Sequence, residues 1–581
     1  MTRQPGVGAV NALWGRTIVD QLHRLGVRHA CISPGYRNAP VSLAFAGHQG
    51  FEIHTHIDER SGGFFGLGIG KMTGAPAVIL CTSGTAAVNF YPSVVEAYYS
   101  GTPLIVLTTD RPPELRQVGA NQTIDQIKLF GDHVRFFAEV TTPDLQLTGY
   151  LRQLINQAYS QAIGAPAGPV HLNIPFREPL TPPKGDPGLP FPATGDASGA
   201  EISKRIWQVP DLKHLSADIR KHRHGALVVG PMPPTEGFSQ ALRELSIATG
   251  YPVLAEGASQ VRYASEIHGQ AIENFDILLG DKGFQELFQP EIMIRIGARP
   301  TSKAFTGILS RHPGKLYVIS ASGLWDDPDQ QASAVYAADP TGFCRALASE
   351  VGSQPPDENW LASLRKFDQQ AHEVIRESIA PEAPFFEGQV ANLCVQLLPE
   401  DGVLYVGNSM PVRDLETFAL AVDRSAPLTV LSNRGASGID GMVSSALGAA
   451  MASSRPVLLY LGDMSFLHDL GGLAAATEAL NLTIVVVNNN GGGIFSYLPL
   501  ADESDSFTRL FTMPHGLTFR SGAELFGLGY SQASSYQETR QAIGAFLDQP
   551  GVQIVEVAID QQVNVARHRA VHEALARRLN S

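Results

Sequence analysis

The chain is poor in cysteine and has no long apolar run. Its four cysteines, Cys31, Cys81, Cys344 and Cys394, are scattered over 581 residues. None has the spacing of a metal site, and most sit in apolar, strand-like runs. They read as buried free thiols. No stretch approaches the roughly 18 consecutive apolar residues of a membrane-spanning helix, so no integral membrane segment is expected. The N-terminus carries Arg3 but no apolar signal-peptide core, and a cytoplasmic protein is the expectation. Charged residues make up only 17%, with a net charge of −13 spread along the chain. That balance argues against nucleic acid or an anionic membrane as partner. It leaves anionic small molecules open, because local arginines decide their binding.

Glycine is abundant, at 57 residues, and proline at 39. Both suit an α/β enzyme with many tight turns, and the length allows roughly two to four domains. Apolar runs at 28–33, 77–82, 103–108 and 169–174 alternate with helix-like segments, starting with a helix over 11–25. This pattern predicts a doubly wound parallel sheet. A strand beginning at Ile53 is expected to end near Asp58, with a glycine-rich helix over 61–72. Residues 179–200 are dense in Pro, Gly and Asp and read as a linker. A second α/β unit has strands at 226–229, 292–296 and 316–320. A boundary follows at Pro355-Pro356-Asp357, then a connecting helix over 360–378. A third unit starts near Gly388, with strands at 403–406 and 428–431. The domains expected are 1–180, 201–355 and 385–581, three doubly wound parallel-sheet domains of α/β class.

The third unit contains the most informative stretch, 461–499. A buried strand over 457–461 ends in Gly462-Asp463. A helix-like segment follows, with Leu467, Leu470 and Leu473 at helical spacing. A second buried strand, 482–487, runs into Asn488-Asn489-Asn490 and three glycines. In such sheets ligands bind beyond the carboxyl ends of strands. Magnesium takes hard oxygen ligands and keeps phosphate oxygens in its shell. Asp463 offers a carboxylate, Asn489 a side-chain carbonyl and Gly491 an unobstructed backbone carbonyl. The helix after Asp463 is expected to turn N–H groups toward phosphate. A plain βαβ unit with two polar turns is the bland reading of Gly-Asp alone. The second strand ending in Asn-Asn favours a site for a magnesium diphosphate.

Gly462-Asp463-Met464 followed by Asn488-Asn489 resembles the cofactor motif of the thiamin diphosphate (ThDP) enzymes. Met464 departs from the glycine common at that place. Three α/β units with this motif in the last resemble the pyruvate-oxidase-type ThDP enzymes. The resemblance implies a pyrimidine-binding first domain, a central domain and a diphosphate-binding third domain. It also implies an active site between subunits of a homodimer or tetramer. Glu59, otherwise a carboxylate favourably placed at a helix start, then matches the acid that holds a proton on the pyrimidine ring.

Further motifs appear in order: Ser33-Pro34-Gly35-Tyr36-Arg37, Asp58-Glu59-Arg60, Thr82-Ser83-Gly84-Thr85-Ala86, Asp110-Arg111-Pro112-Pro113, Asn121-Gln122, Gly407-Asn408-Ser409, Asn433-Arg434-Gly435 and Gly438-Ile439-Asp440-Gly441. The ordered set resembles the quinone-pathway branch of the family. That branch decarboxylates 2-oxoglutarate and adds the succinyl-semialdehyde unit to isochorismate in a 1,4-addition. ThDP and magnesium, with manganese able to substitute, are the implied cofactors. Implied cofactor contacts are Glu59, Thr82, Ser83, Gly84, Asn89, Ser409, Ile439, Gly462, Asp463, Met464, Ser465, Asn489, Gly491, Ile494 and Phe495, with Asp463, Asn489 and Gly491 on the metal. Implied catalytic and substrate-binding residues are Glu59, Arg37, Arg111, Asn121, Gln122, Lys303, Ser409, Arg413 and Arg434. Ile494, Phe495 and Leu498 would form an apolar wall. Both substrates are dicarboxylates, and arginine suits carboxylates. Tyr36 and Asn38 stand where the family has small hydroxyl residues. Rival readings are an acetolactate-synthase-like carboligase and a non-catalytic ThDP-binding homologue. Four motif arginines speak against the first. Retention of Glu59, Asp463 and Asn489 speaks against the second.

Overall fold

The computed structural model describes residues 5–185, 189, 206–309, 314–422, 424, 427–502, 506–547 and 549–580. Most of the expected linker, 186–188 and 190–200, lies outside the described residues. The chain divides into two compact units. One comprises 1–206, 435–452 and 469–476. The other comprises 207–434, 453–468 and 477–581.

The first unit holds a six-stranded sheet: β1 (His29–Ile32), β2 (Glu52–Thr55), β3 (Ala77–Cys81), β4 (Leu104–Asp110), β5 (Phe136–Glu139) and β6 (Pro169–Pro175). Every residue of β3, β4 and β6 is buried. Such continuous apolar runs are what central parallel strands, covered on both faces, require. The edge strand β2 is mostly exposed and stops at Thr55, short of the expected end near Asp58. Asp58 instead caps the next helix, Glu59–Thr73, by accepting the Arg60 N–H at 2.8 Å. Its glycines serve close packing. A Cβ on Gly68 would lie 1.9 Å from the Ser445 carbonyl oxygen, and one on Gly448 2.0 Å from that of Phe65. Helix Met442–Met451 therefore lies backbone against backbone on helix Glu59–Thr73 within this unit.

The second unit holds two sheets. The five-stranded one contains β7 (Gly225–Val229), β8 (Val253–Ala255), β9 (Ile292–Ile296), β10 (Lys315–Ser320) and β11 (Ala332–Ala337). The six-stranded one contains β12 (Val403–Val406), β13 (Thr429–Ser432), β14 (Val457–Gly462), β15 (Asn481–Asn488), β16 (Gly529–Ala533) and β17 (Gly551–Ala558). The ladders pair in parallel throughout. The segment after β14 is not the single helix that its leucine spacing predicts. It is a short helix, Asp463–His468, then a 3₁₀ turn, Leu470–Ala475. Asp469, the buried residue after the short helix, belongs with Ser444 to the first unit and accepts the Ser444 N–H at 2.7 Å and the Ser444 hydroxyl at 3.0 Å.

Strand order carries the functional information. Numbered within its own sheet, the first sheet runs 2-1-3-4-6-5, and so does the third; the second reads 2-1-3-4-5. All three reverse direction between their first and third strands, and ligands bind at the carboxyl ends beside such a switch point. The motif loops fall there. Ser33 to Arg37 follows β1 and Thr82 to Gly84 follows β3. Gly407 to Arg413 follows β12 and Asp463 follows β14.

Candidate active site

In the second unit, Asp463 opens the helix after β14 and is 2% exposed. Its Oδ1 accepts the Met464 N–H at 2.6 Å and its Oδ2 the Gly491 N–H at 2.8 Å. Of the helix N–H groups expected to face phosphate, that of Met464 is thus engaged by Asp463 itself. His515 Nε2 lies 3.2 Å from the same Oδ2. Burial raises the Asp463 pKa, against hydrogen bonds from Gly491 and His515 that lower it.

Asn489 follows β15. Its Nδ2 donates to Glu387 Oε1 at 2.7 Å, while its Oδ1 is buried and accepts nothing. A buried amide carbonyl without a donor is costly unless a ligand completes it. Gly491 has φ of +136°, and a Cβ there would lie 2.0 Å from the Thr512 carbonyl oxygen. No other residue fits. Asn490, also at positive φ (65°), accepts the N–H groups of His515 and Gly516 at 3.0 and 2.7 Å. The loop 512–516 is thereby folded onto the Asn489–Gly491 turn. An aspartate carboxylate, an unpartnered asparagine oxygen and a glycine backbone form an oxygen donor set of the kind magnesium takes. These residues fit a metal-bound diphosphate.

Beneath Asn489 lies a buried polar chain. Glu387 begins helix Glu387–Leu397 and takes the Asn564 side-chain oxygen on its own N–H at 3.0 Å. Asp414 is next to it, and His568 Nε2 lies 2.7 Å from Asp414 Oδ1. Burial, then Asp414, pushes the Glu387 carboxyl up to about 8. Sequence reading missed Glu387, His515 and His568. Glu387 sits one residue before the third unit's expected start, and no periodic signal marks it.

Ser409 has φ of +73°, a strained conformation for a side-chain-bearing residue, of the kind that collects at functional sites. Its carbonyl accepts from Arg413 at 2.6 Å. Arg434 donates to Asn408 Oδ1 at 2.8 Å, and its Nε is buried without a partner. Burial lowers the Arg413 pKa, and the positive charge of Arg434 lowers it further. Glu256, unnoticed in the sequence, is fully buried and accepts the Thr301 N–H at 3.1 Å; the Arg434 charge acts on it. Lys303 is exposed at the start of helix Lys303–Leu309. Ile494, Phe495 and Leu498 are half-buried in and just after the 3₁₀ turn Gly493–Tyr497. Gly462 and Met464 are half-buried and Ser465 is buried beside Asp463.

The first unit gathers the remaining residues. Glu59 is the first residue of its helix and half-buried, near enough to Cys81 to raise that thiol further after burial has done so. Arg111 donates to the Ser83 hydroxyl, and to the Gln122 carbonyl at 3.0 Å. Burial lowers its pKa, and the Arg37 guanidinium does so next. Arg37 is 5% exposed and donates to the Phe176 carbonyl at 2.9 Å and to Glu178 at 2.7 Å. Its Nε has no partner. Gln122, at φ of 54°, donates to the Ser83 carbonyl at 3.0 Å. Asn121 and Asn89 are exposed, and Asn89 donates to the Thr85 carbonyl at 3.3 Å. Ile439 is 37% exposed, on the loop before helix Met442–Met451. Gly35 packs on Thr82, where a Cβ would meet the threonine Cβ at 2.3 Å. Tyr36 points outward, 67% exposed, whereas Asn38 is buried and donates to the Ser33 carbonyl at 2.8 Å. The loop at Ser83-Gly84 rests on Gln126, which accepts the Gly84 N–H at 2.9 Å and donates to Asn173 at 2.8 Å. Asn173 in turn donates to Asp110 at 3.0 Å and Glu139 at 2.7 Å. Of this network the sequence marks only Asp110; Gln126 lies in the loop between β4 and β5, and Asn173 and Glu139 sit singly in their strands, so no local pattern joins them.

Comparison with known proteins gives the family. Residues 14–129 match the N-terminal TPP-binding domain of thiamine pyrophosphate enzymes, 204–406 the middle domain and 415–557 the C-terminal TPP-binding domain. Three parallel sheets carrying those domains define a thiamine-pyrophosphate-dependent enzyme. The chain is 40% identical to 2-succinyl-5-enolpyruvyl-6-hydroxy-3-cyclohexene-1-carboxylate synthase of Chloroflexus aurantiacus, over 96% of this chain and 95% of that one. The enzymes of that name from Geobacillus thermodenitrificans and Myxococcus xanthus are each 39% identical, covering 97% and 98% of this chain and 96% and 98% of theirs. The chain belongs to this synthase family. Among the described residues no helix is long and apolar enough to cross a membrane.

Proposed function

We propose that the chain decarboxylates 2-oxoglutarate and adds the resulting four-carbon unit to isochorismate by 1,4-addition. The product is the compound its relatives are named for, in menaquinone or phylloquinone biosynthesis. Asp463, Asn489 Oδ1 and the Gly491 carbonyl would hold magnesium, or manganese in its place. Glu59, Thr82, Ser83, Gly84, Asn89 and Ile439 would take the pyrimidine side of ThDP; Ser409, Gly462, Met464, Ser465, Ile494 and Phe495 would take the other side. Bound ThDP supplies a carbon nucleophile and an electron sink at the keto carbon. Glu59 holds the proton exchanged with the pyrimidine ring. Arg413 and Arg434, with Ser409, bind the carboxylates of 2-oxoglutarate. Arg37, Arg111, Asn121, Gln122 and Lys303 bind those of isochorismate. Ile494, Phe495 and Leu498 keep water from the reacting carbon.

The observation that carries this reading is two pairs of like-charged arginines. Arg37 acts on Arg111 and Arg434 on Arg413, each lowering its partner's pKa. Glu178 meets Arg37 on one edge only, and the buried Nε of Arg37 and that of Arg434 have no acceptor; a dicarboxylate would supply one and offset the remaining like charge. The domains would be 1–180, 201–355 and 385–581, the active form a cytoplasmic homodimer or tetramer, with the first domain of one subunit facing the third of another. The test is product identification. With isochorismate and 2-oxoglutarate, the product mass should equal isochorismate plus the succinyl-semialdehyde unit. If pyruvate replaces 2-oxoglutarate without loss, the acetolactate-synthase-like reading is favoured instead.

A further inference from the structure

Strands β1 and β2 pair in parallel, with His29 opposite Glu52 and Cys31 opposite His54. Side chains alternate along a strand, so Glu52 and His54 share one face of the edge strand, and His29 shares it from next door. One ligand atom from each of the three lies within 4.8 Å of the other two. His29 Nδ1 is 3.3 Å from His54 Nε2 and 3.7 Å from Glu52 Oε2. Zinc bonds imidazole nitrogen and carboxylate oxygen at about 2.0–2.2 Å, which sets two tetrahedral ligands roughly 3.3 Å apart. The histidine nitrogens already stand at that separation, and the exposed carboxylate, within 4.8 Å of both, would rotate inward to close on them.

The chemistry agrees with the geometry. Burial, then His29 and His56, holds the His54 imidazole at about 3, and burial lowers His29 despite Glu52. Both rings are neutral at physiological pH and can offer a lone pair. The metal-free contact shares one ring hydrogen between the two nitrogens. On metal binding that hydrogen moves to the far nitrogen of its own ring, so no proton is lost.

We propose that His29, Glu52 and His54 form a second metal site, for a borderline divalent ion of the zinc class with water in the fourth position. Two nitrogens and one carboxylate select such an ion over magnesium. The oxygen donors at Asp463 and Asn489 suit magnesium, and saturating them with magnesium and ThDP keeps added zinc from that position. The ion would pin the exposed edge strand β2 to β1, upstream of Asp58 and Glu59.

The experiment uses the full chain, stripped with a chelator and then saturated with magnesium and ThDP. Zinc is titrated against a chromophoric chelator, and cobalt is added separately to read visible absorption. The wild type should bind one zinc and give the intense bands of tetrahedral cobalt. His54→Ala and Glu52→Gln should each weaken zinc binding more than about tenfold and lose those bands. Glu52 is solvent-facing, so Glu52→Gln preserves the fold if His54→Ala does not. Zinc binding equal in wild type and both variants, or no stoichiometric zinc in wild type, would overturn the proposal.

Discussion

Replacing Glu387 by alanine tests whether the diphosphate half is built from beneath. Glu387 touches no substrate; it holds the Asn489 amide through one bond of 2.7 Å. That bond fixes the orientation of the amide and leaves Oδ1, the proposed metal ligand, without a protein donor. Losing it leaves a buried Nδ2 unpaired and the amide free to rotate, at a cost of about 1–3 kcal/mol. Partners of metal ligands typically contribute about 10–100-fold in metal affinity, or about 1.4–2.8 kcal/mol. The two magnitudes agree. Glu387→Ala should therefore raise the magnesium concentration for half-maximal ThDP binding by about 10–100-fold. Titration calorimetry at fixed ThDP reads this directly, and 2-oxoglutarate KM at saturating magnesium should stay put. Glu387→Gln keeps an acceptor in place and should shift the midpoint by less than about threefold. An unchanged midpoint in Glu387→Ala, or a change only in substrate KM, would refute the argument.

Three further outcomes are expected. Glu59→Gln should lower turnover by about 10²–10⁴-fold with ThDP retention intact, and near-normal turnover would show the proton relay misplaced. Asp463→Ala should lose magnesium-dependent ThDP retention; mixed with Glu59→Gln, it should regain about a quarter of wild-type activity through subunit exchange if the site spans two chains. No recovery on mixing would contradict that assembly. His171 is buried and held at about 3, well below its usual 6.5. The fold keeps it neutral while the unfolded chain takes up protons below 6.5, so stability present above that pH is lost on acidification. Between pH 6.5 and 5 it should cost about 2 kcal/mol. His171→Phe should flatten that part of a denaturant-midpoint profile, and an unchanged slope would refute the assignment.

The sequence made the buried central strands legible because parallel strands read as continuous apolar runs. Strands at 292–296 and 403–406 fall as expected. Missed were β5, β8, β11, β16 and β17. Of these, β5, β11 and β16 lie at edges with half-exposed residues, where alternation is weak. The leucines at 467, 470 and 473 predicted one helix, but buried Asp469 interrupts it to bind Ser444. Among site residues, those in Gly-rich loops after strands were visible, because turn chemistry and strand ends mark them. Glu387, His515 and Gln126 were not. Each acts across a long sequence separation on a backbone group or a single side chain, and nothing local announces it.

The most direct measurement is isochorismate consumption, followed by its ultraviolet absorbance, with 2-oxoglutarate, ThDP and magnesium each omitted in turn. Loss of absorbance that requires every component is the result this account predicts. Unchanged isochorismate beside continued carbon dioxide release from 2-oxoglutarate would contradict it, and would place the error at the arginines assigned to the acceptor.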